Sequence, residues 1–118
     1  LNQPCKCKNT SHICNNFHNT IEFIGRRWMG VILYTLMPGP KRYHEIVASI
    51  PGISDRLLTE RLNELVKEGL VTKSFLESST KKVEYELTPS GLALKEVMLA
   101  VRNWIELREV LQNKIESD

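Results

Sequence analysis

The sequence predicts a mainly α-helical domain carrying one small β-hairpin. Three observations in the 118-residue chain point there. Residues 54–69 place apolar side chains at helical spacing, with a serine at the start and a glycine just past the end. Residues 70–87 read as two short β-type runs around a polar turn, Glu77-Ser78-Ser79-Thr80. Further helical runs flank this unit, separated by proline and glycine.

In chain order, residues 1–13 are polar, with Pro4, Asn9 and Ser11, and are expected to form a loose arm ahead of a single domain, 14–118. A first helix is expected from about Asn15 to Ile24, with Phe17, Ile21 and Ile24 on one face, broken by Gly25. A second, mostly buried helix over 27–37 contains Trp28, Val31, Ile32, Leu33 and Leu36. Pro38-Gly39-Pro40 stops it, because proline cannot continue a helix. Tyr43–Ser49 forms a short third helix, closed by Ile50-Pro51-Gly52. In the fourth, Ser54 is the N-cap, and Asp55 is favoured in the first turn by the helix dipole. Leu57, Leu58, Leu62, Leu65 and Val66 share its apolar face, and Gly69 suits the left-handed position beyond its end. Strands follow over 70–76 and 82–87. A last helix starts with Thr88 as cap and Pro89 as first helical residue, and carries Leu94, Val97, Met98, Val101, Trp104, Ile105 and Leu111. The third and fourth helices, split by Pro51-Gly52, make a helix-turn-helix, and the hairpin makes its wing. The predicted fold is therefore a winged helix-turn-helix.

An apolar content of 42% and a charged content of 25% are those of a soluble globular domain rather than a disordered or membrane chain. No apolar run approaches membrane-spanning length, and the N-terminus has no secretory pattern, so no membrane partner and a cytoplasmic location are expected. The last helix is longer than a monomer core of this size needs. With the first helix it forms the expected homodimer seam, through Phe17, Ile21, Ile24, Trp104, Ile105 and Leu111. The alternative, a solvated terminal helix, leaves those apolar residues in water. His12, His18 and His44 do not combine with a nucleophile and an orienting acid, and there is no phosphate loop or metal-hydrolase motif. Neither an enzyme nor a cofactor is expected.

A net charge of +2 does not by itself announce nucleic-acid binding, but the distribution of charge does. Arg26, Arg27, Lys41, Arg42, Arg56, Arg61, Lys81 and Lys82 lie mid-chain, and acidic residues accumulate after Glu96. The face of the fourth helix opposite its leucines carries Asp55, Arg56, Thr59, Glu60 and Asn63. In a helix-turn-helix the second helix enters the major groove of double-stranded DNA. Arg56 is the candidate for bidentate contact to guanine, Asn63 for adenine, and Asp55 for a cytosine amine, although an acid near phosphate usually repels. Ser54 and Thr59 offer hydroxyls, Lys41 and Arg42 phosphate contacts, and Lys81-Lys82 a basic wing tip. The plainer alternative is a solvated helix face, salt-bridged at i,i+4 as Arg56 with Glu60. A protein-binding winged helix is the other rival, because a fold does not dictate its partner.

The chain resembles the HxlR-type transcriptional regulators, a MarR-like winged-helix group, in "IGRRWMGVIL", "GPKRYHEI", "IPGISDRLLTERLNELVKEGLV" and "VEYELTPSGLAL", with Cys14 eleven residues before Gly25. The resemblance spans roughly residues 14–104. It implies a homodimer on an inverted-repeat operator, usually repressing. It also implies that Ser54, Arg56, Thr59 and Arg61 lie on or beside the reading helix, with Lys81 and Lys82 on the wing. Two departures are visible: Asn15 follows the cysteine where the family often has proline, and a common wing proline is replaced near Thr80.

The three cysteines, Cys5, Cys7 and Cys14, all fall in the first fourteen residues, an odd count without an export signal that argues against a disulfide framework. Cys14 directly precedes a helix, where the dipole stabilises a thiolate, and Lys8, His12 and His18 add positive field. A thiolate reacts with oxidants, quinones and aldehydes, which makes Cys14 the candidate sensor of such an effector. The resemblance implies the same role, since several members of the family sense electrophiles through a cysteine at this position. The chain has no cysteine after Cys14, so a Cys14–Cys14 bridge, a bridge to Cys5 or Cys7, a mixed disulfide or direct alkylation remains. An inert Cys14 packed in the seam is the alternative, with a non-covalent small-molecule ligand then controlling the protein. Cys5, Cys7, His12 and Cys14 lack the spacing of a standard zinc site, and no metal is expected.

Overall fold

Apolar spacing within the helices decides how they assemble. The computed structural model describes residues 15–75 and 82–116; the expected arm 1–13, Cys14, the hairpin turn 77–80 and Lys81 lie outside the described residues. Four helices come first: α1 (Asn15–Ile24), α2 (Met29–Leu36), α3 (Tyr43–Ser49) and α4 (Asp55–Lys67). α2 is central, with Met29, Ile32, Leu33 and Leu36 all buried. α4 sends Leu58, Leu62 and Leu65 into the same core, α3 adds Ile46, and α1 adds Phe23. These positions repeat every three or four residues, so one face of each helix is buried while the other stays wet.

The sheet closes the core from one side. β1 (Lys41–Arg42), β2 (Val71–Phe75) and β3 (Val83–Leu87) are antiparallel in the order β1-β3-β2. Val71 pairs with Leu87, and both are buried together with Tyr85. Cross-strand partners share a face, so this register sets the sheet's inner side. β1 was not among the expected elements. Two residues are too few to show a strand period, and the strand exists because Lys41 and Arg42 pair with Tyr85 and Glu84.

Two helix boundaries differ from expectation. The second helix begins at Met29 rather than residue 27, because Trp28 takes a left-handed conformation (φ 72°) and caps it. The amide of Met29 donates to the Arg26 carbonyl at 3.0 Å, so residues 25–28 form a tight corner. The last helix is divided into α5 (Pro89–Leu92) and α6 (Lys95–Glu116). Thr88 caps α5 as expected: its hydroxyl accepts from the Gly91 amide at 3.1 Å and donates to the Gly69 carbonyl at 2.7 Å. One side chain thus ties the end of α4 to the start of α5.

Leu94 and Met98 pack on the core, but from residue 99 to 115 every side chain of α6 is exposed. Among the described residues no helix is long and apolar enough to cross a membrane.

Gly91 sits against the chain leaving α4: a Cβ there would lie 2.2 Å from the Leu70 carbonyl oxygen. Gly91→Ala is therefore expected to cost at least about 1–3 kcal/mol in urea unfolding, as overpacking does. The exposed neighbour Ser90→Ala is expected to stay within about 0.5 kcal/mol.

Candidate nucleic-acid interface

The reading helix is held at its start by local chemistry. The Ser54 hydroxyl accepts from the Leu57 amide at 3.1 Å, and Asp55 and Lys67 occupy the first and last turns, each matching the dipole. The turn before it passes through Gly52 at φ 94°, a left-handed position that favours glycine. The Trp28 indole lies under that turn, with Cη2 3.7 Å from where a Gly52 Cβ would stand. On α3, the Arg42 amide donates to Glu45 Oε1 at 2.9 Å and closes the first turn.

Tyr43 joins the two helices. Its hydroxyl lies 3.1 Å from the Asp55 carbonyl oxygen, 3.2 Å from Asp55 Oδ1 and 3.3 Å from the Thr59 hydroxyl. The phenol has one proton to donate, and both Asp55 oxygens compete for it. Asp55 is thereby occupied with fixing the angle between α3 and α4.

Outward from the leucines, Arg56, Thr59, Glu60 and Asn63 stand exposed at i, i+3, i+4 and i+7, one continuous polar face. Among the described residues no ion pair joins Arg56 to Glu60, which leaves the guanidinium to solvent. Beside this face an open cleft runs between the helices and the wing, lined by Arg42, Tyr43, His44, Thr59, Lys82, Val83 and Tyr85. Burial, and secondarily the neighbouring Tyr43, push the Tyr85 phenol above its usual pKa, so it stays a neutral hydroxyl. Cationic groups on both walls suit the cleft to phosphate oxygens.

Of the expected contact residues, Asp55, Arg56, Thr59 and Asn63 lie on α4 with Ser54 as its cap, Lys41 and Arg42 form β1, and Arg42, Thr59 and Lys82 line the one cleft together. Lys81 lies outside the described residues. Arg61 departs from the expectation. Its Nε donates to the Arg27 carbonyl at 2.9 Å and its Nη1 to Glu64 Oε1 at 2.7 Å, leaving the side chain 14% exposed. Its charge is engaged within the protein, so it stands apart from the outward set. Tyr43 was missed; it follows the basic pair in sequence, but only the packing of α3 beside α4 brings it to the cleft, where the exposed His44 joins it. Among the described residues no cluster of histidine, cysteine and carboxylate is placed to hold a metal.

Of the residues expected at a dimer seam, Phe17, Ile21, Trp104, Ile105 and Leu111 are each at least 47% exposed, whereas Ile24 packs partly against the core. Cys14 lies outside the described residues.

A helix-turn-helix with a polar outer face, a basic cleft and a β-wing is the winged helix-turn-helix architecture, and the likeness to known proteins places it among DNA-binding transcriptional regulators. Residues 23–113 match the HxlR-like helix-turn-helix family, and the chain belongs to it. The chain is similar to the HTH-type transcriptional regulator YodB of Bacillus subtilis (strain 168), 38% identical over 80% of this chain and 84% of the relative. It is also similar to the uncharacterized HTH-type regulator YvaP of the same organism, 34% identical over 81% and 89%. The quinone-bound YodB structure superposes with a TM-score of 0.72 at 37% identity, over 80% of this chain and 99% of that one. The redox regulator HypR in its reduced form gives 0.74 at 34% identity, over 83% and 98%.

Removal of the cap hydroxyl checks the local account. Ser54→Ala is expected to lower unfolding stability by about 1 kcal/mol and Ser54→Gly by only a few tenths, read from urea midpoints.

Proposed function

We propose that the chain is a homodimeric repressor that reads an inverted-repeat operator through two copies of α4. The observation that carries this reading is the exposed face of Arg56, Thr59 and Asn63 beside the cleft of Arg42, His44 and Lys82. Arg56 contacts guanine, Asn63 adenine, and Ser54 and Thr59 the adjoining bases or phosphates. Lys41, Arg42, Lys81 and Lys82 hold the backbone and set the register. With the chromosome as partner, the protein works in the cytoplasm.

The dimer rests on what α6 leaves in water. Val97, Val101, Trp104, Leu111 and Ile115 follow a spacing of three, four or seven residues along it, and all are exposed. An apolar groove between α2 and α6, walled by Val31, Tyr34, Met98, Val101 and Ile105, continues the same surface. Apolar area of this extent is covered by a second copy, with Phe17 and Ile21 of α1 at the margin.

Cys14 is the proposed sensor. The likeness to a regulator crystallised with quinone supports an electrophile as the effector. Addition of the Cys14 sulfur to a quinone ring carbon, with the thiol proton passing to one quinone oxygen and the ring proton at the attacked carbon to the other, leaves a hydroquinone thioether next to α1. Moving α1 alters the seam and with it the separation of the two α4 helices, which weakens operator binding. Oxidants act at the same thiol by taking two electrons from a pair of cysteines.

The test is binding of the purified protein to its own upstream promoter DNA, reduced and then treated with quinone. Tight reduced-state binding that quinone abolishes is expected, and Cys14→Ser is expected to keep binding under quinone. A Cys14→Ser protein that still releases DNA would sink the sensor role. Arg56→Ala is expected to cost roughly 1–3 kcal/mol on the operator and much less on random DNA, measured by fluorescence anisotropy at fixed salt. An equal loss on both reduces Arg56 to a phosphate contact.

A further inference from the structure

Glu64 lies on α4 but not on its outward face. Each of its two carboxylate oxygens meets a different guanidinium: Oε1 that of Arg61, at 2.7 Å, and Oε2 that of Arg26. Arg61 uses its Nε as well, donating to the Arg27 backbone carbonyl at 2.9 Å. Arg26 and Arg27 belong to the corner between α1 and α2, so the cluster joins the third turn of the reading helix to that corner.

The corner has a second brace. Trp28 is the one non-glycine residue with positive φ among those described, and its indole lies against Gly52 in the helix-turn-helix turn. The same four-residue segment therefore meets the helix-turn-helix twice, at its turn and well along α4. Two separated points of attachment fix a direction, which one point does not. With Glu64 neutral, Arg26 and Arg61 become two cations with no anion between them, and Arg61 is only 14% exposed. That arrangement repels rather than merely loosens.

We propose that Glu64 is a positioning residue for DNA reading, clamping α4 to the α1–α2 corner through Arg26 and Arg61. This rests on α4 being the reading helix. The clamp sets the pose in which Arg56, Thr59 and Asn63 meet base edges, and it makes the end of α1 mechanically continuous with α4. Loss of the clamp costs base reading, whereas phosphate attraction survives.

Glu64→Gln separates these effects, since it keeps the side-chain shape and removes one negative charge. Anisotropy on the upstream promoter duplex and on a random duplex of equal length, at one salt concentration, gives the discrimination ratio. The expected ratio falls roughly tenfold, a size typical of residues that act at a distance from the ligand. Random-duplex binding is expected to stay equal or tighten, because the protein gains a positive charge. A loss of folded protein would lower both affinities together, which circular dichroism melting checks. Arg26→Gln, at a more exposed position, is expected to lower the ratio similarly, and the double variant to add little more. A wild-type ratio near one overturns the DNA reading and the clamp with it. A normal wild-type ratio that both single variants retain overturns the clamp alone.

Discussion

The structure depends on the burial of Leu58, Leu62 and Leu65 of α4 in the one apolar core to which α2 contributes Met29, Ile32, Leu33 and Leu36. Each of the three is completely buried, and each fully buried leucine contributes about 1.5–3 kcal/mol by removal from water. The stripe does more than stabilise. Because a helix turns 100° per residue, fixing these leucines inward fixes Arg56, Thr59, Glu60 and Asn63 outward. The chemistry on the surface of α4 is thus a consequence of the packing beneath it.

A helix anchored along one stripe can still rock, and the remaining contacts limit that freedom. Ser54 caps its start, Tyr43 ties its first turns to α3, and Thr88 links the glycine past its end to α5. β1 extends the brace to the wing, since Lys41 and Arg42 pair with Tyr85 and Glu84 just before α3 begins. Helix-turn-helix and wing are therefore one sheet-connected unit, and the cleft between them has fixed walls. The proposed operator contacts draw on both walls at once.

Much of this was legible in the sequence, and the reasons are specific. α3 and α4 begin and end where expected because their signals are local: Ser54 and Gly69 for α4, Pro51-Gly52 after α3. Thr88-Pro89 marked the start of α5 for the same reason. What the sequence hid was set by distant neighbours. The break after α5 accompanies the packing of Gly91 against Leu70, a contact between segments with no local signature. β1 exists only through its partner strand. Arg61 looked like its basic neighbours, and only the fold brings it beside Glu64 and the Arg27 carbonyl. Tyr43 was hidden likewise, twelve residues before the Asp55 it holds.

α6 carries the remaining requirement. Its apolar side chains beyond Met98 stay largely exposed in one copy of the chain, and the proposed dimer answers that exposure and doubles the basic cleft about a two-fold axis. In the proposed dimer, two α4 helices enter successive major grooves on one face of the duplex. Hydroxyl-radical footprinting on the upstream promoter tests that placement most directly. Two symmetric protected patches are expected, with centres about one helical turn, roughly 10 base pairs, apart. A single asymmetric patch, or uniform protection without a two-fold pattern, would contradict it.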